Sequence, residues 1–160
     1  MKSVSLVRAL YVAFVAMLCI ITIPQQNVRF AVGAVESTDV IPSSIYDIIE
    51  TDSKGQDHDM AQYKGKILFI INTASRCPYT KDHYSLFRRL FKYRSRGFEI
   101  ILVPSNQFMQ EPKDDADIAI FARKQLFSGV ILTKGDVNGK NARTLYRYLK
   151  EATGKRLIEW

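Results

Sequence analysis

The sequence predicts one α/β domain, and three observations carry that prediction. Two continuous apolar runs of strand length, "KILFIINTA" (Lys66 to Ala74) and "FEIILVPS" (Phe98 to Ser105), have the composition of interior strands covered on both faces. Between them Leu86, Phe87, Leu90 and Phe91 recur at helical spacing, leaving Arg88, Arg89, Lys92 and Arg96 for the wet side. At 160 residues with 47% hydrophobic content, the chain holds enough apolar material for one core and too little for two.

In chain order, Lys2 and Arg8 precede the apolar run "ALYVAFVAMLCIITI", Ala9 to Ile23, which is shorter than the roughly 18 to 20 residues of a membrane span. Residues 1–34 therefore read as a cleaved secretory signal, with cleavage after Ala34 in "AVGA", and an uncleaved signal anchor is the alternative. Entry into the secretory pathway follows from either reading; secretion, the ER or an organelle reached through it are all compatible. Residues 35–43 form a polar linker, and the domain runs over 44–160.

Within the domain, Ser44 to Gly65 reads as a β-hairpin turning near Lys54-Gly55. The strand Lys66–Ala74 follows, then a helix from Tyr79 to about Arg96, stopped by Gly97, and the strand Phe98–Ser105. "DDADIAIFARKQ", Asp114 to Gln125, is a helix with acids in its first turn. "GVILTKG" is a strand, Asn138-Gly139 a turn, and "NARTLYRYLKEAT" a helix with Asn141 as its N-cap. A strand, a cysteine before a helix and then a parallel strand form an α/β arrangement of thioredoxin type.

Charge and cysteine usage narrow the function. The formal charge is +7, but Lys2, Arg8 and Arg29 lie in the first 34 residues, leaving 20 basic residues against 16 acidic ones, or +4. So mild and dispersed an excess predicts a solvated basic face, without a dedicated nucleic-acid surface. Of the two cysteines, Cys19 lies in the targeting run, so a mature chain carries Cys77 alone and forms no internal disulfide. CxxC and Cys/His zinc spacings are absent, so no metal is predicted, and the isolated His58 and His83 read as surface or packing residues.

Placement makes Cys77 a candidate nucleophile. Just before a helix it faces unpaired backbone N–H groups and the positive end of the macrodipole, with Arg76 beside it, and all of these favour thiolate. Thiolate attacks disulfides and peroxides; a buried structural cysteine is the other reading of the same placement.

The segment "NTASRC", with Thr80 three residues beyond Cys77, resembles the signature of the glutathione peroxidase family. "SIYDI", "AQYKGKILFIIN", "PSNQFMQEP" and "DVNGKNARTLY" match the family in order, so the resemblance runs from about Ser44 to the end. It implies a thioredoxin-like fold and a cysteine or selenocysteine peroxidase with no bound cofactor. The substrate would be hydrogen peroxide or a lipid hydroperoxide, and glutathione or another thiol the reducing co-substrate. Residue by residue, Cys77 matches the peroxidatic position, Gln110 of "QEP" the glutamine that hydrogen-bonds the chalcogen, and Trp160 of "LIEW" the indole donor. "CPYT" also resembles the glutaredoxin Cys-Pro-Tyr-Cys site with Thr80 in place of the second cysteine, over four residues only.

Departures from the family pattern set further expectations. The family's asparagine after the tryptophan, its final strands and its closing helix have no counterpart here, which predicts a sheet with one open edge and face. Pro78 stands where glycine is usual. The stretch "IAIFARKQ", with Ala122 near the place where relatives carry a resolving cysteine, has none, and Ser105 occupies another cysteine position of the family, so reduction would fall to glutathione, another small thiol or a thioredoxin-type partner. The short connection from the Tyr146 helix to Trp160 resembles monomeric members that accept lipid hydroperoxides, and allows contact with a membrane surface. A catalytically impaired remnant, or a redox-sensing binding protein of the same fold, is the second reading.

Overall fold

A computed structural model of the chain describes residues 40–159. The targeting run, the expected cleavage point after Ala34 and Trp160 lie outside the described residues.

Strands β1 (Ile49–Thr51) and β2 (Asp57–Asp59) pair antiparallel, with Glu50 opposite His58. Asp52 makes their turn by accepting the N–H groups of Lys54 at 2.8 Å and Gln56 at 3.0 Å, and Gly55 takes a φ of 77° there. The hairpin expected around Lys54-Gly55 is thus present, flanked by 3-10 turns over Ile45–Asp47 and Met60–Tyr63. Ser44 and Asp59 cap those turns by accepting from Tyr46 and Ala61 N–H.

The main sheet is built from β3 (Ile67–Thr73), β4 (Phe98–Pro104) and β5 (Val130–Ile131), all parallel, with β4 in the middle. Helix α1 (Thr80–Leu90) connects β3 to β4, runs on as a 3-10 segment over Phe91–Arg96 and stops at Gly97, whose φ is 82°. The β3–β4 ladder runs unbroken from Ile67 opposite Phe98 to Thr73 opposite Pro104. Alternation along β4 explains its continuous apolar run. Ile101 and Val103 enter one core cluster with Ile48, Met60, Leu132, Leu145 and Tyr146, while Ile100 and Leu102 enter another with Tyr84, Phe87 and Phe127. Helices α2 (Asp115–Lys124), capped by Asp114, and α3 (Thr144–Thr153) complete the described domain.

Three details differ from the sequence expectation. Among the described residues β3 is an edge strand: β4 is its only partner there, Ile67 is 68% exposed, and Leu68 to Thr73 are half-buried. Its apolar run reflects coverage of its faces, which says nothing of how many strands flank it. The strand expected over "GVILTKG" is a two-residue ladder, because the chain changes partner. Leu132 N–H still bonds Leu102, but Thr133 N–H turns to Thr51 and Leu132 bridges antiparallel to Asp52, tying the hairpin to the sheet. Finally, α3 begins at Thr144 and Asn141 does not cap it; the cap residue is Arg143, whose side chain makes no capping hydrogen bond. Glu50 of β1 supplies the missing acceptor, taking Leu145 N–H at 3.0 Å while its other oxygen pairs with Arg143 at 2.7 Å.

Candidate active site

β3 delivers the chain to the cysteine. After Thr73, Ala74 is buried at 3% exposure and the backbone turns sharply through Ser75, Arg76 and Cys77 before α1 starts. Three bonds close the turn: Cys77 N–H to Ala74 O at 3.4 Å, Thr80 N–H to Cys77 O at 3.1 Å, and Thr80 Oγ1 to Ala74 O at 2.7 Å. Cys77 therefore sits three residues ahead of the first helical residue, in a tight turn at the N-terminal end of α1. Pro78 fits this geometry because its N–H is not needed by the turn.

A second loop braces the turn from β4. In the segment after Pro104, Asn106 Oδ1 accepts Glu111 N–H at 2.9 Å, which folds Gln107 to Gln110 into a compact loop. Met109 takes a φ of 59° at its tip and is 88% exposed. Gln110 O accepts Arg76 N–H at 3.0 Å, and the Glu111 carboxylate accepts both Ser75 N–H at 2.6 Å and Ser75 Oγ–H at 2.8 Å. The fold thus brings Gln110 to the residue preceding Cys77, across 34 positions of sequence between Arg76 and Gln110. The Oε1 atom of Gln110 is buried and makes no hydrogen bond within the described residues.

The thiol is half-buried and lines a cavity of about 250 Å³. Ile71, Tyr84 and Phe87 form its apolar wall, and Thr80, His83 and Glu159 contribute polar groups. Burial, and secondarily the Glu111 charge, push the Tyr84 hydroxyl far above its usual range, so it stays neutral. His83 stacks against Tyr79 at 6.3 Å, so it borders the cysteine cavity, which its isolation in sequence did not indicate. His58 is a packing residue as expected, with Nε2 2.8 Å from the Tyr63 hydroxyl.

Trp160 lies beyond the described residues, but the segment leading to it is held. Asn138 grips the Ile158 backbone twice, donating to its carbonyl at 2.9 Å and accepting its N–H at 2.9 Å. Gln107 in turn accepts the N–H groups of Val137 and Asn138, both at 2.9 Å. The sequence reading placed a turn at Asn138-Gly139 and missed this clamp; its partners are 20 and 31 positions away and leave no local pattern.

Ala122 is fully buried in the core on α2, and Ser105 is fully buried at the end of β4. Cys77 is the only cysteine among the described residues. Those residues also hold no group of three or more His, Cys, Asp or Glu side chains arranged for a metal ion.

A parallel sheet that hands a lone cysteine to a helix N-terminus, braced by the loop after the next strand, defines a thioredoxin-like thiol protein. The glutathione peroxidase family model matches residues 45–150, and the chain belongs to that family. It is 44% identical over 124 residues to a probable phospholipid hydroperoxide glutathione peroxidase of Mesembryanthemum crystallinum, covering 76% of this chain and 72% of that protein. Glutathione peroxidase 2 of Caenorhabditis elegans is 38% identical over 120 residues, covering 73% of this chain and 74% of the relative. Among solved structures, T. cruzi GPX1 superposes with a TM-score of 0.55 at 33% identity, covering 73% of this chain and 74% of that one. The protein is a thiol-dependent peroxidase that reduces hydroperoxides.

Proposed function

We propose that Cys77 is the peroxidatic residue, that Gln110 and Trp160 are its hydrogen-bond donors, and that its substrates are hydrogen peroxide and lipid hydroperoxides in oxidative-stress defence. The observation that carries this is the position of Cys77: half-exposed, in the turn between β3 and α1, and open to a largely apolar cavity. The thiolate attacks the terminal peroxide oxygen, the O–O bond breaks, and the leaving alkoxide takes a proton to become an alcohol or water. Cys77 is left as a sulfenic acid. A thiol then condenses with it, releasing water and forming a mixed disulfide, and a second thiol displaces that disulfide to regenerate Cys77.

Glutathione or a similarly small thiol is the reductant we favour over a thioredoxin-type protein. The positions that could carry a second cysteine hold Ala122 and Ser105, both sealed in the core, so the mixed disulfide forms directly on Cys77. The names of the plant relatives support a lipid hydroperoxide as one substrate, and the apolar wall of Ile71, Tyr84 and Phe87 suits its chain. We further propose that the chain enters the secretory pathway through residues 1–34 and acts as a monomer, with membrane-surface contact through its basic face. Consumption of peroxide by the full chain with glutathione, measured beside Cys77→Ser, tests the reading: turnover vanishes in the variant, and turnover that persists would remove Cys77 from the mechanism.

A further inference from the structure

We propose that Glu111 is a positioning residue for the peroxide reaction, holding the turn that aims Cys77 at its substrate. The inference rests on the reading of Cys77 as the peroxidatic thiol and adds a residue to it.

Glu111 is 2% exposed and ionisable, yet neither ion pair among the described residues involves it. Burying a carboxylate outside an ion pair is costly, and its partners show where the return lies. Both oxygens are committed to Ser75, one to the backbone N–H at 2.6 Å and one to the hydroxyl at 2.8 Å. Ser75 is two residues before Cys77. These charge-assisted bonds are the short, strong kind, and their two-point grip fixes orientation as well as distance.

Beside that grip, the Gln110 carbonyl takes Arg76 N–H, and Cys77 N–H turns back to Ala74. Three successive backbone N–H groups are thus fixed, two of them by adjacent residues of one loop. Asn106 locks that loop through Glu111 N–H. The same residue pair therefore sets two relations at once: the direction in which the cysteine leaves the turn, and the distance from Gln110 to it. A carboxylate is suited to this task because it accepts two bonds from one residue without offering a donor of its own. The Glu111 charge also reaches Tyr84 on α1, which lines the cavity beside Cys77.

In-line attack on an O–O bond is sensitive to such placement, whereas alkylation of a thiolate by a small neutral electrophile tolerates many approaches. The two reactions therefore separate positioning from exposure and folding. The full chain carrying Cys19→Ser, so that Cys77 is the only thiol, is treated with substoichiometric hydrogen peroxide and, separately, with iodoacetamide; both are followed by intact mass. Glu111→Ala is expected to slow oxidation about ten- to a hundredfold while alkylation changes less than about threefold. Glu111→Gln keeps an acceptor for Ser75 N–H and is expected to recover most of the oxidation rate. Ser75→Ala removes only the hydroxyl contact and gives an intermediate loss, which preserves the test should Glu111→Ala fold poorly. Oxidation within about twofold of the parent in Glu111→Ala, or oxidation and alkylation falling by the same factor, would overturn the proposal. Cys77→Ser measured alongside separates the two layers. Peroxide turnover surviving in it removes the peroxidatic reading itself, whereas Cys77-dependent turnover untouched by Glu111→Ala removes only the role of Glu111.

Discussion

The hydroxyl of Thr80 donates to the carbonyl oxygen of Ala74 at 2.7 Å, spanning the turn that carries Cys77. The bond joins the end of β3 to the first residue of α1, and both partners are buried. It makes the cysteine part of a closed, internally bonded unit.

Replacing Thr80 with Val keeps the shape and removes the donor. Because Ala74 O still accepts Cys77 N–H, the loss is expected to be modest, about 1 kcal/mol in urea unfolding. The oxidation rate of Cys77 should fall with it, and an unchanged rate would show that the turn is held without this bond.

Glu50 reaches from β1 to α3, pairing with Arg143 at 2.7 Å and accepting Leu145 N–H at 3.0 Å. Glu50→Ala strands a guanidinium that is only 10% exposed and uncaps the helix, so a loss of about 3–5 kcal/mol is expected. Glu50→Gln should cost clearly less, since it retains an acceptor for Leu145. Chemical denaturation of the two variants side by side checks the order.

Much of this architecture was legible in the sequence, and the exceptions share one physical cause. β4, α1 and α2 announce themselves through apolar continuity, 3.6-residue spacing and acids in a first helical turn, all local signals. The Glu50 cap of α3 is 95 positions from its target, and the Ser75–Glu111 pair is 36 positions apart, so neither leaves a pattern in any short window. Asn141 is a good capping residue by type, but Glu50 and Arg143 decide where α3 begins. Cys77 stands out as a candidate by its placement before a helix and Gln110 only through resemblance, which does carry long-range information; Glu111, adjacent to Gln110, has neither signal.

Leu126, just past the end of α2, has a φ of 60° and is 71% exposed, a conformation that suits glycine at a site where the leucine buries little of its surface. Leu126→Gly is expected to raise stability by about 0.5–1 kcal/mol, read as a higher denaturation midpoint at unchanged slope.

Burial holds the His58 imidazole below its ordinary value of 6.5, partly offset by Asp52, Asp59 and Glu50. The folded state therefore binds a proton less readily than the unfolded chain. The stability contribution is full above pH 6.5 and is lost as the pH falls from there through the folded value. The Tyr63 hydroxyl, pushed up to about 12 chiefly by burial, stays protonated throughout and can donate to the neutral ring. Unfolding measured between pH 7.5 and 5.5 should show stability falling with acidification, and the slope should flatten in His58→Gln.

The most direct test of the central claim is the rate at which Cys77 becomes a sulfenic acid. The full chain with Cys19→Ser is mixed with substoichiometric hydrogen peroxide and followed by intact mass, with free cysteine as the reference. Oxidation far faster than that of free cysteine is the predicted result, because the turn, the Gln110 loop and the cavity converge on this sulfur. A rate equal to that of free cysteine would contradict the account.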